Sequence, residues 1–199
     1  MALASEKIST TVLGLIAVSV LTRYLGPDKY GEYIYALSIV SIAQPMVQFG
    51  LPTVIPNLLV QSQSRSEKNQ IIYASTILSI GFSIFGAMAL IGIFILARTC
   101  GIANDTVANL GCIFSLSLLG NAGNTMMFIH NSQIQYGIIA KYLIIIKLLY
   151  TLSIVLFWHN QYGIYYMSLV YSTSEITKGL FFLSKTLLQF DNKGIKTYN

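Results

Sequence analysis

The chain has 199 residues, of which 54% are hydrophobic and only 10% charged, against about a quarter charged in soluble domains. Its mean hydropathy is +0.65 and its formal net charge is +5, from 12 basic and 7 acidic residues. These proportions exclude an ordinary soluble enzyme, and the scatter of the basic residues, without a compact Lys/Arg patch, argues against a nucleic-acid partner.

Charge-free stretches run from Tyr33 to Ser64, Asn69 to Ala97, Thr106 to Ala140 and Leu148 to Ser174. Each exceeds the roughly 20 apolar residues that cross ~30 Å of hydrocarbon, so the chain is predicted to be an all-α integral membrane protein. Six transmembrane helices are expected, near residues 4–25, 33–60, 70–97, 106–129, 138–158 and 162–185. They form one lobe over residues 1–186, followed by a polar tail at 187–199.

The first span is charge-free from Ile8 to Thr22, with Glu6 and Lys7 at its start and Arg23 near its end. No A-x-A-like site closes it and further apolar runs follow, so it reads as a retained helix rather than a cleaved leader. In the second span Ser38, Ser41, Gln44, Gln48, Pro52 and Pro56 recur every three or four residues and share one face. Pro45, Pro52 and Pro56 each remove a backbone donor and crowd the preceding turn, which predicts a bend or opening there.

After the third span, Cys100 and Cys112 both lie toward the outer side. Cys112 sits inside its helix, so two free thiols are expected rather than a disulfide. Asn104-Asp105-Thr106 matches the glycosylation acceptor pattern, which matters only in a eukaryotic secretory route. The fourth span carries Ser117, Asn121 and Asn124 at helical spacing, and the sixth carries Tyr165, Ser168, Ser172, Glu175 and Lys178. Such stripes serve either as hydrogen-bonding glue between helices or as the lining of a hydrated cavity; three in one bundle, with three charges, favour the cavity.

The charges inside spans are Lys147, Glu175 and Lys178. By helical rise Lys147 lies ~12 Å and Glu175 ~15 Å from the inner face, nearly the same depth. Glu175 and Lys178 are an i, i+3 pair, so one carboxylate meets two ammonium groups and one positive charge is left over. A surplus cation in the bundle suits an anionic cargo group such as a phosphate, whereas a pair that merely locks two helices is the plainer alternative.

Six spans put both termini on one side. That side holds Lys7, Arg65, Lys68, Lys141, Lys185, Lys193 and Lys196 against Glu6, Glu67 and Asp191; the other holds Arg23, Lys29 and Arg98 against Asp28, Glu32 and Asp105. The basic bias predicts cytoplasmic termini. Outer loops near 26–32, 98–105 and 159–161 leave no room for a catalytic domain. His130 and His159 fall near opposite faces and cannot share a metal, and neither a Gly-rich phosphate loop nor a nucleophile elbow is present, so no enzyme, metal or cofactor is expected.

The stretch Thr22-Arg23-Tyr24-Leu25-Gly26-Pro27-Asp28-Lys29-Tyr30-Gly31-Glu32-Tyr33, then Ala36-Leu37-Ser38-Ile39-Val40 and Phe49-Gly50-Leu51-Pro52, resembles the start of Wzx-type oligosaccharide flippases of the MATE-like polysaccharide exporter superfamily. The turn is physically apt: Gly26 can take a left-handed conformation, Pro27 stops the first helix and Asp28 can cap the next. Lys147 resembles a basic position in the fifth helix of these flippases, while Gln133 stands where an acidic residue is sought after their fourth.

The resemblance implies a bacterial inner-membrane protein that carries polyprenyl-pyrophosphate-linked oligosaccharide to the outer leaflet among membrane lipids. Its expected substrate-binding residues are Lys147, Lys178, Glu175, Arg23, Gln44, Gln48, Asn121 and Asn124, with Arg23 either an interfacial anchor or a cargo contact. Such flippases have two six-helix lobes, so this chain reads as an amino-terminal half of a longer or disrupted product, or as a lobe that pairs with a second. A drug or cation antiporter lobe, with Glu175 binding the coupling ion, and a non-transporting membrane scaffold are the rival readings.

Overall fold

The computed structural model describes residues 2–62, 64–132 and 136–192, with side chains placed at 6–62, 64, 66–127 and 139–186. Gln133 and the end of the tail, 193–199, lie outside the described residues. The elements are α1 (Ala2–Gln48), α2 (Leu51–Gln61), α3 (Arg65–Thr99), α4 (Asp105–Ser115), a 3₁₀ turn (Leu116–Gly120), α5 (Asn121–Ser132), α6 (Tyr136–His159) and α7 (Ile164–Asn192). Among the described residues there is no strand. Four stretches of the described residues are long and apolar enough to cross a membrane: Glu6–Gln61, Ser66–Thr99, Asp105–Met127 and Ile139–His159. Their outward faces carry large apolar side chains, including Leu15, Ile42, Phe85, Leu96 and Leu152, a surface suited to hydrocarbon rather than to water.

Glu6–Gln61 spans 56 residues, or ~84 Å if straight, far more than one bilayer crossing needs. It is not straight. Gly26 sits at φ +73°, ψ 172°, a conformation that any side chain would strain, and the following Pro27 disfavours helical geometry at Gly26. Leu13 accepts a hydrogen bond from Thr151 of α6 and Tyr24 donates to the carbonyl of Tyr162 beyond the end of α6. Past Gly26 the chain returns: Tyr33 packs edge-on against Phe114, which packs on Tyr171, which packs on Tyr150 beside Thr151. The segments before and after Gly26 therefore lie side by side as two arms of a helical hairpin.

Because the strain at Gly26 is in the backbone, with nothing within 4 Å of an added Cβ, Gly26→Ala should lower stability by about 1–3 kcal/mol. Gly31→Ala, equally open and without a positive φ, should be neutral. Thermal unfolding of both variants in detergent checks this, and equal midpoints would refute the hairpin geometry.

The expected bend among the prolines falls at Phe49 (φ 49°) and Gly50 (φ 73°), where α1 gives way to α2. Pro45 stays within α1, and Pro52 occupies the first turn of α2, where a missing N–H costs nothing. Helix α3 opens with a capping box in which the Ser64 hydroxyl accepts from Glu67 N–H and the Glu67 carboxylate accepts from Ser64 N–H. It closes through Gly101 at φ 69°, with Ile102 N–H donating to Ala97. The expected fourth span is one path broken in the middle: α4, the tighter 3₁₀ turn, then α5.

Two apolar clusters hold the bundle. The larger joins both arms of α1 to α3, α4, α6 and α7 through Leu21, Tyr33, Phe94, Phe114, Ile154 and Met167. The smaller gathers Ile55, Ile72, Met126, Ile139 and Phe182. Between α7 and the 3₁₀–α5 segment the contact is backbone on backbone: a Cβ at Gly123 would collide with the Gly179 carbonyl, one at Gly179 with the Gly120 carbonyl, and one at Gly120 with the Glu175 carbonyl.

Candidate functional site

Three helix faces line a half-open pocket of about 360 Å³, a volume in the range of small-ligand sites. Helix α6 contributes Leu143, Ile146, Lys147 and Tyr150, and α7 contributes Tyr171, Ser174, Glu175 and Lys178. Both sets repeat at i, i+3, i+4, i+7, so each is a single helix face. The first arm of α1 supplies Glu6, Thr10 and Thr11. The pocket thus brings together all three charges that the sequence places within spans.

Packing fixes each of these faces. The buried Ser172 hydroxyl donates to the Ile113 carbonyl at 2.8 Å, and the glycine crossing below it presses the backbone of Glu175 against Gly120, so α7 can neither slide nor turn. Thr151 donates to Leu13 at 3.3 Å, tying α6 to α1 one turn beyond Lys147. Gly14 leaves room for the lysine stem: a Cβ there would lie 3.7 Å from Lys147 Cε.

Within the pocket, Lys178 Nζ and Glu175 Oε2 form a 2.6 Å ion pair with both side chains largely shielded. Lys147 makes no ion pair among the described residues; its ammonium stands 4.8 Å from the centroid of the Tyr150 ring, a cation–π contact. The hydroxyls of Thr10 and Ser174 are satisfied by their own helices, through Glu6 O and Tyr171 O. Among the described residues no three His, Cys, Asp or Glu side chains gather in the pocket or elsewhere.

Glu6 alters the charge balance expected from the sequence. Lys147, Lys178 and Glu175 alone leave one surplus positive charge, but with Glu6 the described lining holds two ammonium and two carboxylate groups, which balance. Sequence reasoning treated Glu6 as a flanking charge of the first span. Its signal is the i, i+4 series Glu6, Thr10, Gly14, which continues into the buried Ala17 and Leu21 and so marks the inward face of α1.

The other expected site residues lie elsewhere. Gln44 Nε2 donates to Asn121 Oδ1 at 2.9 Å, and Asn124 Nδ2 approaches the same oxygen at 3.5 Å. Asn121 and Asn124 are 2% and 7% exposed, so this trio joins α1 to α5 and does not line the pocket. Asn121 Nδ2 and Asn124 Oδ1 are buried without a hydrogen-bond partner among the described residues. Gln48 is half-buried near the end of α1, and Arg23 is exposed beside the Gly26 turn. Ser38 and Ser41 are also exposed. Both cysteines are free thiols, as expected. Arg98 and Asp105 pair at 2.6 Å across the α3–α4 loop, where exposure makes the pair worth little.

Fold and site together define an all-helical protein whose long apolar helices surround a compact charged pocket. Comparison with protein-family models, with curated proteins and with solved structures finds no match.

Proposed function

We propose that the chain is a six-crossing lobe of a membrane flippase, resembling the amino-terminal lobe of Wzx-type exporters. Its crossings are the two arms of α1 (the second continued by α2), α3, α4 through α5, α6 and α7, with both ends of the chain at the cytoplasmic face of a bacterial inner membrane. The cargo is a polyprenyl-pyrophosphate-linked oligosaccharide destined for surface polysaccharide. The sugar head enters the pocket while the polyprenyl tail stays in lipid. No bond is made or broken, and a second six-helix lobe provides the body against which this one rocks.

The observation that carries this reading is an ammonium group, Lys147, inside a pocket walled by apolar helices and left without an ion pair among the described residues. An intramembrane charge costs at least ~2.5–3.5 kcal/mol, so a chain that keeps one has a partner for it, and an anionic cargo is such a partner. The Gly26-Pro27 hairpin fits the R-Y-L-G-P motif on which the resemblance rests. Glu6 favours one other reading, a lobe of a cation antiporter, because it gives the pocket a carboxylate free of ion pairs among the described residues.

The test is translocation in vesicles. The full chain is reconstituted at several copies per vesicle, so that lobes can pair, with a polyprenyl-pyrophosphate-linked disaccharide placed in the inner leaflet. Protein-dependent appearance of the sugar to an external lectin supports the flippase. Proton-driven accumulation of an organic cation instead would support the antiporter, and neither activity from correctly inserted protein would leave a scaffold.

A further inference from the structure

We propose that the pocket selects a zwitterionic head group, a phosphorylated amino sugar, with phosphate oxygens at Lys147 and the ammonium at Glu6. This deepens the flippase reading and rests on it for the anion half of the site.

The charge inventory leads there. Among the described residues four charged groups face the pocket: Glu6 from α1, Lys147 from α6, and Glu175 and Lys178 from α7. Glu175 and Lys178 are 2.6 Å apart and cancel each other. What remains is one cation and one anion, neither within ion-pair distance of an opposite charge among the described residues. Lys147 is turned to the Tyr150 ring rather than to a carboxylate. A purely anionic ligand would satisfy Lys147 and be repelled by Glu6, whereas a cation alone would do the reverse. A ligand bearing both charges satisfies both groups.

The spacing sets the size of that ligand. Lys147 meets α1 at Gly14, eight residues and so ~12 Å along the helix from Glu6 on the same face. Polar contacts of ~3 Å at each end leave about the width of a sugar ring between them. The pocket volume of about 360 Å³ suits one sugar with its phosphate rather than a longer oligosaccharide. Tyr171, half-buried in the pocket wall, adds apolar surface beside which a sugar ring can lie.

Matched soluble probes test this on the full chain in detergent: glucosamine 6-phosphate, its N-acetyl derivative and glucose 6-phosphate, at a mildly acidic pH that keeps the free amine protonated. Calorimetry should show the amine form binding about tenfold tighter than either analogue, the equivalent of one charge-assisted contact. Glu6→Gln should erase that preference while leaving the glucose 6-phosphate affinity unchanged or higher. Lys147→Gln should weaken all three.

Equal affinity for the three sugars on the unaltered chain overturns the proposal even if Glu6→Gln fails to fold. If phosphate binding depends on Lys147 but not on the amine, the zwitterion inference fails and the anion reading stands. If Lys147→Gln changes nothing, both fail. The carrier is settled by competition: displacement of glucosamine 6-phosphate by mixed micelles holding polyprenyl-pyrophosphate-linked glucosamine 6-phosphate assigns a lipid-borne head group. Displacement by soluble sugar phosphate alone assigns a free one, and the zwitterion preference holds in either case.

Discussion

Lys147→Ala should lower translocation by about 30- to 5,000-fold, the equivalent of the ~2–5 kcal/mol lost when a desolvated charge contact is removed. Protein level and membrane insertion should stay intact. The reason lies in what the residue touches. Lys147 has no carboxylate partner among the described residues, so its removal strands no opposite charge, and the 2.6 Å pair of Glu175 and Lys178 survives on the same helix. Its stem packs beside Gly14 and its ammonium over Tyr150, contacts of modest worth. Removing an unpaired cation from the bundle also relieves the cost of keeping it there.

Lys178→Ala is the instructive contrast, because it strands Glu175: loss of one member costs ~3–5 kcal/mol in a fully buried pair and ~0–1 kcal/mol in an exposed one, so this partly buried pair should cost about 1–3 kcal/mol. Protein level should therefore fall for Lys178→Ala and hold for Lys147→Ala, read by quantitative blotting of the membrane fraction alongside the vesicle assay. Unchanged translocation by Lys147→Ala would remove the cargo role, and lost insertion would reassign the residue as a structural lock.

How much of this was legible beforehand differs from residue to residue. Gaps between charges point to long apolar helices, because hydrocarbon excludes charge regardless of how helices pack, and four such helices are present among the described residues. Gly26-Pro27 reads as a turn for local reasons, a positive φ and a blocked donor, and the structure has both. The coincidence of Lys147 and Glu175 in depth follows from helical rise alone and holds in the pocket.

Periodicity fails where the question is which neighbour a face meets. The stripe of Gln44 with Asn121 and Asn124 and that of Glu175 with Lys178 have the same spacing, yet the first bonds helix to helix and the second lines a pocket. Glu6 went unrecognised because its i, i+4 series acquires meaning only once α6 is known to lie against α1. Helix α7, expected as a span at 162–185, falls short of the hydropathy of the other long helices, and is held by contacts that no window along the chain can report.

The largest structural effect is expected at a residue without a side chain. Gly123→Leu should abolish a stable bundle, and Gly123→Ala should destabilise it by about 1–3 kcal/mol, the usual cost of overpacking. A Cβ at Gly123 meets the Gly179 backbone itself, which cannot rotate aside as a side chain would. Relief requires α5 and α7 to separate, and since Gly179 and Gly120 are wedged together one turn away, the separation spreads along the crossing. Glu175, whose carbonyl rests on Gly120, and Lys178, beside Gly179, would then move away from α6 and Lys147, so the pocket opens as the crossing fails.

Gly81→Ala provides the control, because Gly81 is exposed, has nothing within 4 Å of an added Cβ and gains the helix preference of alanine. Thermal unfolding in detergent should put Gly81→Ala at or above the unaltered chain and Gly123→Ala well below it, with Gly123→Leu aggregating on extraction. A Gly123→Leu variant that unfolds at the original midpoint would mean that α5 and α7 do not cross at their glycines, and the placement of Glu175 opposite Lys147 would lose its support.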